Sequence, residues 1–257
     1  MSQIVTDAIV LHAFDYRETS RILRLATREV GVRSVIARGA RRSKERFGAA
    51  VDLFAEGTAR ISLHASGDLH TLVSFDVSRS REALAGDWAR FTAANALSEI
   101  MLRFARDDAH AELFDAYAHA LDSLASARPG SGDAVGLGGA WRLVAELGFA
   151  PVLDSCASCE TPFAPDAVVQ FAHRAGGALC ARCVAQVASA KPLPPEARAA
   201  ITAWLEGRDA PAPLDELIVR AHLRLLRHFL VEHLADERPL RAFAVWERND
   251  WGAVERR

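Results

Sequence analysis

All four cysteines of this chain fall in two CxxC pairs, Cys156-Ala-Ser-Cys159 and Cys180-Ala-Arg-Cys183. Each pair is a knuckle that presents two thiolates from one tight turn. Two knuckles separated by twenty residues can close a tetrahedron around Zn²⁺. Pro151 precedes the first knuckle, and Gly176-Gly177, where the chain can reverse sharply, precedes the second. Between them Val168-Val169-Gln170-Phe171 reads as a short strand of a ribbon or treble-clef arrangement. Two disulfides are the first alternative. The opening Met1-Ser2-Gln3 enters directly into Ile4-Val5 with no basic leader region, so a cytoplasmic chain with reduced thiols is expected. A redox dithiol, the second alternative, calls for one CxxC after a strand in an α/β pattern rather than two in a loop. With cysteine at all four positions no coordination site remains for water, so the expected Zn²⁺ is structural rather than catalytic. His173 lies nearby and is not needed as a ligand.

At 257 residues, half of them hydrophobic and a quarter charged, the chain has the composition of an ordinary globular protein and is long enough for two domains. No apolar run approaches the roughly eighteen residues that a membrane span requires. The formal net charge of −2 conceals an uneven distribution. Arg33, Arg38, Arg41, Arg42, Lys44 and Arg46 lie within fourteen residues against the single acid Glu45. Lysine occurs only at Lys44 and Lys191, so nearly all the positive charge is arginine, which suits bidentate phosphate contacts and stacking on bases. For the global arginine excess, codon bias in a GC-rich genome is the favoured cause.

Residues 1–80 read as β structure. Val5 and Ala8–Leu11, Arg21–Thr27, Val32–Ala37, Gly57–Leu63 and Leu69–Phe75 are candidate strands, with turns at Glu29-Val30-Gly31 and Ser66-Gly67-Asp68. Five short strands with tight turns point to a small barrel or sandwich. From Leu84 the period becomes helical. Leu97, Ile100, Met101 and Phe104 share one face, and Phe114, Tyr117, Ala118, Leu121 and Leu124 share another. The glycine-rich stretch from Arg128 to Gly139 reads as a flexible link before a helix over Ala140–Leu147, and it lacks the Gly-Lys-Ser/Thr of a phosphate loop. After the cysteine module a short helix carries Ile201 and Trp204. A long helix from about Leu214 to Leu234 shows a core stripe of Leu217, Ile218, Ala221, Leu225 and Phe229. Arg220, Arg224 and Arg227 line another face of that helix and read as a solvated stripe. The division is therefore a domain over 1–80, then a helical domain over 81–257 with the metal module at 151–186.

No catalytic constellation emerges. The nine histidines form no HExxH, Gly-x-Ser-x-Gly is absent, and Asp107-Asp108 reads as solvated, so a non-enzymatic protein is expected. The informative segment is Arg38-Gly39-Ala40-Arg41-Arg42-Ser43-Lys44-Glu45-Arg46-Phe47-Gly48. It is too rich in small and charged residues to continue a strand, and as an exposed loop it would neutralise several phosphates. Phe14, Tyr16 and Phe47 are aromatics placed near it in the chain.

The chain resembles the bacterial RecO recombination mediators over nearly its whole length. The likeness is carried by Val10-Leu11, Tyr16-x-Glu18-x-Ser20-Arg21-Ile22-Leu23, Thr27-x-x-x-Gly31, Ala37-Arg38-Gly39-Ala40-Arg41-Arg42, Phe47-Gly48-Ala49, Leu53-Phe54 and Ala96-Leu97-Ser98-Glu99. Its most distinctive part is Arg142-Leu143-Val144-x-x-Leu147-Gly148-Phe149-x-Pro151 leading into Cys156-x-x-Cys159, completed by Gly176-Gly177-x-x-Cys180-x-x-Cys183. The resemblance implies an α+β fold: an N-terminal five-stranded OB-fold barrel followed by an α-helical domain carrying a four-cysteine zinc module. It implies binding of single- and double-stranded DNA, annealing of complementary strands, cooperation with RecR, and help for RecA in replacing single-stranded DNA-binding protein (SSB). A cytoplasmic, nucleoid-associated protein follows from it. On this reading Arg38, Arg41, Arg42, Lys44 and Arg46, with Arg17 and Arg21, are the expected phosphate contacts. Cys156, Cys159, Cys180 and Cys183 are the expected Zn²⁺ ligands. The acidic, apolar-ended tail of SSB would take a hydrophobic pocket with a basic rim in the helical domain. Competing readings are a zinc-ribbon regulator of duplex DNA, using Arg174 and Arg182, and a metal-stabilised adaptor that binds only protein.

Overall fold

The computed structural model describes residues 2–40, 52–105, 108–211, 213–233 and 238–248. The chain forms two compact units, Met1–Ser126 and Ala127–Arg257.

The first unit opens with five strands, β1 (Ser2–Tyr16), β2 (Ser20–Thr27), β3 (Gly31–Ala37), β4 (Glu56–Leu63) and β5 (Leu69–Arg79). They close a barrel in the order β1-β2-β3-β5-β4, with β1 antiparallel to β4 and β3 parallel to β5. A closed five-stranded barrel of this kind is the OB-fold architecture. Each strand lies where the alternation of apolar residues predicts it. β1 is far longer than its apolar centre, because its first half pairs with β4 (Ser2–Ile9) and its second half with β2 (Ala8–Tyr16). One strand thus serves both neighbours, which removes a free sheet edge. The interior is a cluster of Ala8, Val10, Leu23, Leu25, Val35, Ala37, Ala55, Ala59, Ile61, Leu72 and Phe75. Gly57 is required where β4 crosses β5, since a Cβ there would stand 2.2 Å from the Asp76 carbonyl oxygen.

Two helices complete this unit, α1 (Trp88–Phe104) and α2 (Ala111–Ser126), after a 3-10 turn at Glu82–Gly86. α1 packs on β1 and β2 and also on α2, so it is buried on more than one face, from Thr92 through Met101. Of the α1 stripe read in the sequence, Leu97, Ile100 and Met101 are buried and Phe104 is half-buried. Of the α2 stripe, Ala118 alone is half-buried. The Ser98 and Tyr117 hydroxyls lie 2.7 Å apart between the helices, and burial pushes the Tyr117 phenol up.

The joint between helices and barrel is Arg81. Its side chain is 1% exposed. It donates from Nε to Asp122 (2.7 Å) and from Nη1 to the Phe54 carbonyl (2.9 Å), and it pairs with Glu56 through Nη2. A buried guanidinium tolerates desolvation only when its donors are satisfied in this way. Phe54 adopts a left-handed backbone (φ 66°) with its ring edge-on to Phe91 of α1.

The second unit holds α3 (Gly132–Glu146), β6 (Val169–Ala172), β7 (Gly177–Leu179), α4 (Ala181–Val184), β8 (Lys191–Leu193), α5 (Pro195–Leu205), α6 (Glu216–His233) and α7 (Arg241–Arg248). The short strands form one antiparallel sheet in the order β7-β6-β8. Trp141, Phe171 and Phe229 meet at its centre, with ring centroids 5.6 and 6.0 Å from Phe229.

Two expectations are corrected here. The segment expected as a link up to Gly139 is helical from Gly132, forming the first half of α3. Its glycines lower helix propensity, but a Cβ at Gly138 would stand 3.0 Å from the Trp204 ring, so glycine allows α5 to approach and packing overrides propensity. The core stripe of α6 is also rotated. Val219, His222, Leu223, Leu226, Phe229 and Leu230 are buried, whereas Leu217 is 78% exposed and Ala221 is exposed. His222 takes a core position against Trp204 (centroids 5.0 Å apart), and a stripe built on aliphatic residues alone misses that phase.

Candidate nucleic-acid interface and metal centre

The cysteine module is assembled around its two glycines. A Cβ at Gly177 would lie 2.2 Å from the Val152 carbonyl oxygen, so only glycine lets the chain entering the first knuckle pair with the strand leading to the second. Val152 donates its N–H to Gly176 O (3.0 Å) and accepts from Ala178 N–H (2.8 Å). Gly176 itself takes φ +71°. The first knuckle turns through Glu160 (φ 60°), whose N–H donates to Cys156 O. The second knuckle spans the start of α4, with Val184 N–H donating to Cys180 O.

The four sulfurs of Cys156, Cys159, Cys180 and Cys183 all lie within 4.8 Å of one another. A tetrahedral thiolate site with Zn–S bonds of about 2.3 Å has edges of about 3.8 Å. The Cys159–Cys180 separation is 3.7 Å. Thr161, through its hydroxyl (3.2 Å from Sγ) and backbone, holds the Cys159 thiol down to about 5, and Arg182 adds to the effect. Burial opposes ionisation of Cys156, but N–H donors from Cys180, Ser158 and Cys159 hold it below its usual value. Cys159 and the other neighbouring thiols push Cys183 up to about 11. Four adjacent thiols cannot all ionise against each other's charge, and a cation at their centre removes that obstacle. The donor set fits a metal ion with four thiolate ligands.

Around the barrel the expected phosphate contacts fall into three groups. Arg38 is exposed directly after β3. Arg17 is exposed in the β1–β2 turn, with a left-handed backbone (φ 55°) and its guanidinium 5.2 Å from the Tyr16 ring centroid. Arg21 is half-buried and bonds Asp15 at 3.0 Å, so part of its charge is already matched. Arg41, Arg42, Lys44 and Arg46 lie outside the described residues. The α6 arginines are engaged with acids: Arg220 with Glu216, and Arg224 and Arg227 with Glu247 at 3.5 and 2.5 Å.

A feature the sequence did not locate is an apolar groove of about 280 Å³ in the second unit. Ile218, Ala221 and Leu225 of α6 face Leu193, Pro194 and Ala197 across it. Lys191, Arg224 and His228 also line it. His222 is buried in its wall, and neither ring nitrogen has a hydrogen-bond partner among the described residues. Three of the residues first read as core therefore line this groove. The aliphatic stripe of Ile218, Ala221 and Leu225 was the sequence signal of this face.

The family of the chain is decided by comparison with known proteins. The family model described as Recombination protein O N terminal matches residues 1–81, and that described as Recombination protein O C terminal matches residues 85–242. The chain belongs to the Recombination protein O family. A protein of Anaeromyxobacter dehalogenans (strain 2CP-C) named DNA repair protein RecO is 36% identical over 250 residues, covering 95% of this chain and 96% of its own. The protein of that name from Myxococcus xanthus is 32% identical and covers 91% of this chain and 93% of its own. That from Thermobifida fusca is 31% identical over 80% of this chain and 83% of its own. The family is one of DNA repair and recombination proteins, and no described helix here is long and apolar enough to cross a membrane.

Proposed function

We propose that this chain is a non-enzymatic recombination mediator. It binds single- and double-stranded DNA at the barrel, anneals complementary strands and, with RecR, helps load RecA onto strands coated with SSB. The observation that carries this reading is the joint match of both segments to one DNA-repair family, on a chain whose first segment is a closed barrel with the exposed arginines Arg17 and Arg38 at one end. On it the working division is 1–80 for DNA and 81–257 for partners, the latter stiffened by the module at 151–186. Arg17, Arg21, Arg38, Arg41, Arg42, Lys44 and Arg46 neutralise phosphates, which leaves base edges free to pair. Cys156, Cys159, Cys180 and Cys183 hold a structural Zn²⁺. The apolar groove, rimmed by Lys191 and by Arg224, which also pairs with Glu247, and with Glu196 as an acid in its lining, would take an acidic tail with an apolar end such as that of SSB through its apolar wall and Lys191. The protein works in the cytoplasm, at the nucleoid.

The regulator reading is weaker on this geometry. Arg182 hydrogen-bonds the sulfurs of Cys159 and Cys183, and Arg174 bonds Glu232 at 2.7 Å, so both arginines beside the knuckles have partners other than a DNA groove. The test is annealing of two labelled complementary strands coated with SSB, across a salt series. Acceleration that needs no nucleotide and fades with salt supports the mediator. No acceleration at any salt, from folded and metal-loaded protein, rejects it.

A further inference from the structure

On the outer wall of the barrel, β1 carries three rings at alternate positions, His12, Phe14 and Tyr16. Simple alternation puts them inside, because Ala8 and Val10 point into the barrel. A β-bulge changes that. Val10 pairs with Leu25 and His12 with the next residue, Arg24, so Leu11 is the extra residue and the facing is reversed beyond it. Ala13 then packs against the interior cluster, while His12 is exposed, Phe14 is 43% exposed and Tyr16 is half-buried.

The register extends this face across two more strands. Phe14 lies beside Ile22, which lies beside Ile36. His12 lies beside Arg24, which lies beside Ser34. No carboxylate occupies these positions. Arg24 has its Nε shielded from solvent with no hydrogen-bond partner among the described residues, and Arg17 stands over the Tyr16 ring at one end. His12 and Phe14 have ring centroids 5.8 Å apart at a 52° tilt, so they do not stack flat on each other. Alternate residues on a strand stand about 6.8 Å apart. That spacing suits an extended strand of nucleotides whose bases lie one per ring.

We infer that the row His12–Phe14–Tyr16, flanked by Arg24, is a base-stacking platform for unpaired DNA. The inference rests on the proposed DNA-binding reading and adds a division of labour to it. The arginine loop holds the backbone of any DNA, whereas this face takes only bases that are not already stacked in a duplex. The ligand class is single-stranded nucleic acid, held by its base faces with the pairing edges outward. Positive charge, a row without carboxylates and flat apolar rings suit it better than an acidic peptide, which would use the charges and leave the rings idle.

The test measures binding of the full-length protein to a labelled oligo-dT, to an abasic sugar-phosphate chain of equal length, and to a duplex. The expected result is preference for oligo-dT over the abasic chain. Phe14→Ala combined with His12→Ala should weaken oligo-dT binding by about tenfold, with abasic and duplex binding unchanged, and Phe14→Trp should restore it. If Phe14→Ala lowers the melting temperature, Phe14→Leu keeps the apolar bulk without the ring and should still lose the preference. Equal wild-type affinity for oligo-dT and the abasic chain overturns the platform, as does an unchanged double variant, and both leave DNA binding by the chain intact. Failure of the wild type to bind any of the three at low salt overturns the DNA-binding reading as well.

Discussion

The barrel and the cysteine module are both small β structures, and different physics holds each together. The barrel interior is a continuous apolar cluster drawn from all five strands, and its hydrogen bonds close on themselves. The module buries Cys156, Ala172, Leu179 and Cys183 beneath half-exposed neighbours, two of its core members being cysteines of the cluster. A core of that size does not offset the entropy of ordering the loop that surrounds it. The barrel is thus built by burial, and on the proposed four-thiolate reading the module is held by coordination, so the same chain should respond to metal removal in one region and to packing defects in the other.

The sharpest way to break this contrast is to remove the metal. Chelation or Cys159→Ser should release one bound ion per chain and unfold the module, because binding of a four-thiolate zinc site is worth on the order of 10 kcal/mol. Metal analysis with hydrogen exchange along the chain should show protection lost over 151–186 and kept in β1–β5. A metal-free variant with an unchanged melt would remove the contrast altogether.

Next in size is the joint in the first unit. Arg81→Ala leaves Glu56 and Asp122 without their buried partner and should cost roughly 3–5 kcal/mol. Chemical denaturation should show that loss with the metal still bound.

A third effect separates the units by pH. Burial holds His222 down to about 4 in the folded protein, below its ordinary 6.5. The unfolded chain takes up the proton first, so the stability contributed by neutral His222 is complete above about 6.5. It falls away as the pH drops to about 4, by about 3 kcal/mol in all. His222→Phe should flatten the acid side of the stability curve of the second unit. A curve of unchanged slope would show that this burial does not matter.

Gly57→Ala should cost about 1–3 kcal/mol through its collision with the Asp76 backbone, in the barrel alone. The smallest effect expected is on binding rather than folding. Arg41→Ala with Arg42→Ala should lower the slope of log affinity against log salt by about 2 at most, for every DNA sequence alike. An unchanged slope would take that loop out of the interface.

Legibility in the sequence followed the locality of each signal. The knuckles could be read because a CxxC turn carries its geometry within four residues and the chemistry of sulfur limits what two of them can do. The barrel turns at Glu29-Val30-Gly31 and Ser66-Gly67-Asp68 could be read for the same reason, since Gly31 and Gly67 take φ of 70° and 85°. The start of α3 could not, because the reason for Gly138 is the Trp204 ring, more than sixty residues away. The phase of α6 was misread because His222 is apolar in its burial and polar in its composition. Arg81 gave no local sign of its role, since its partners come from β4, the segment before it and α2.

What this sequence determined by itself is therefore its five barrel strands and their turns, the pairing of its cysteines in two knuckles and the concentration of arginine between Arg33 and Arg46. These rest on interactions among near neighbours or on side-chain chemistry that needs no context. Tertiary structure alone decided which way β1 faces past Leu11, which side of α6 is buried and where the apolar groove opens. Each of these depends on a register or a helix rotation, and a shift of a single residue, fixed only by partners distant in the chain, turns an inward side chain outward.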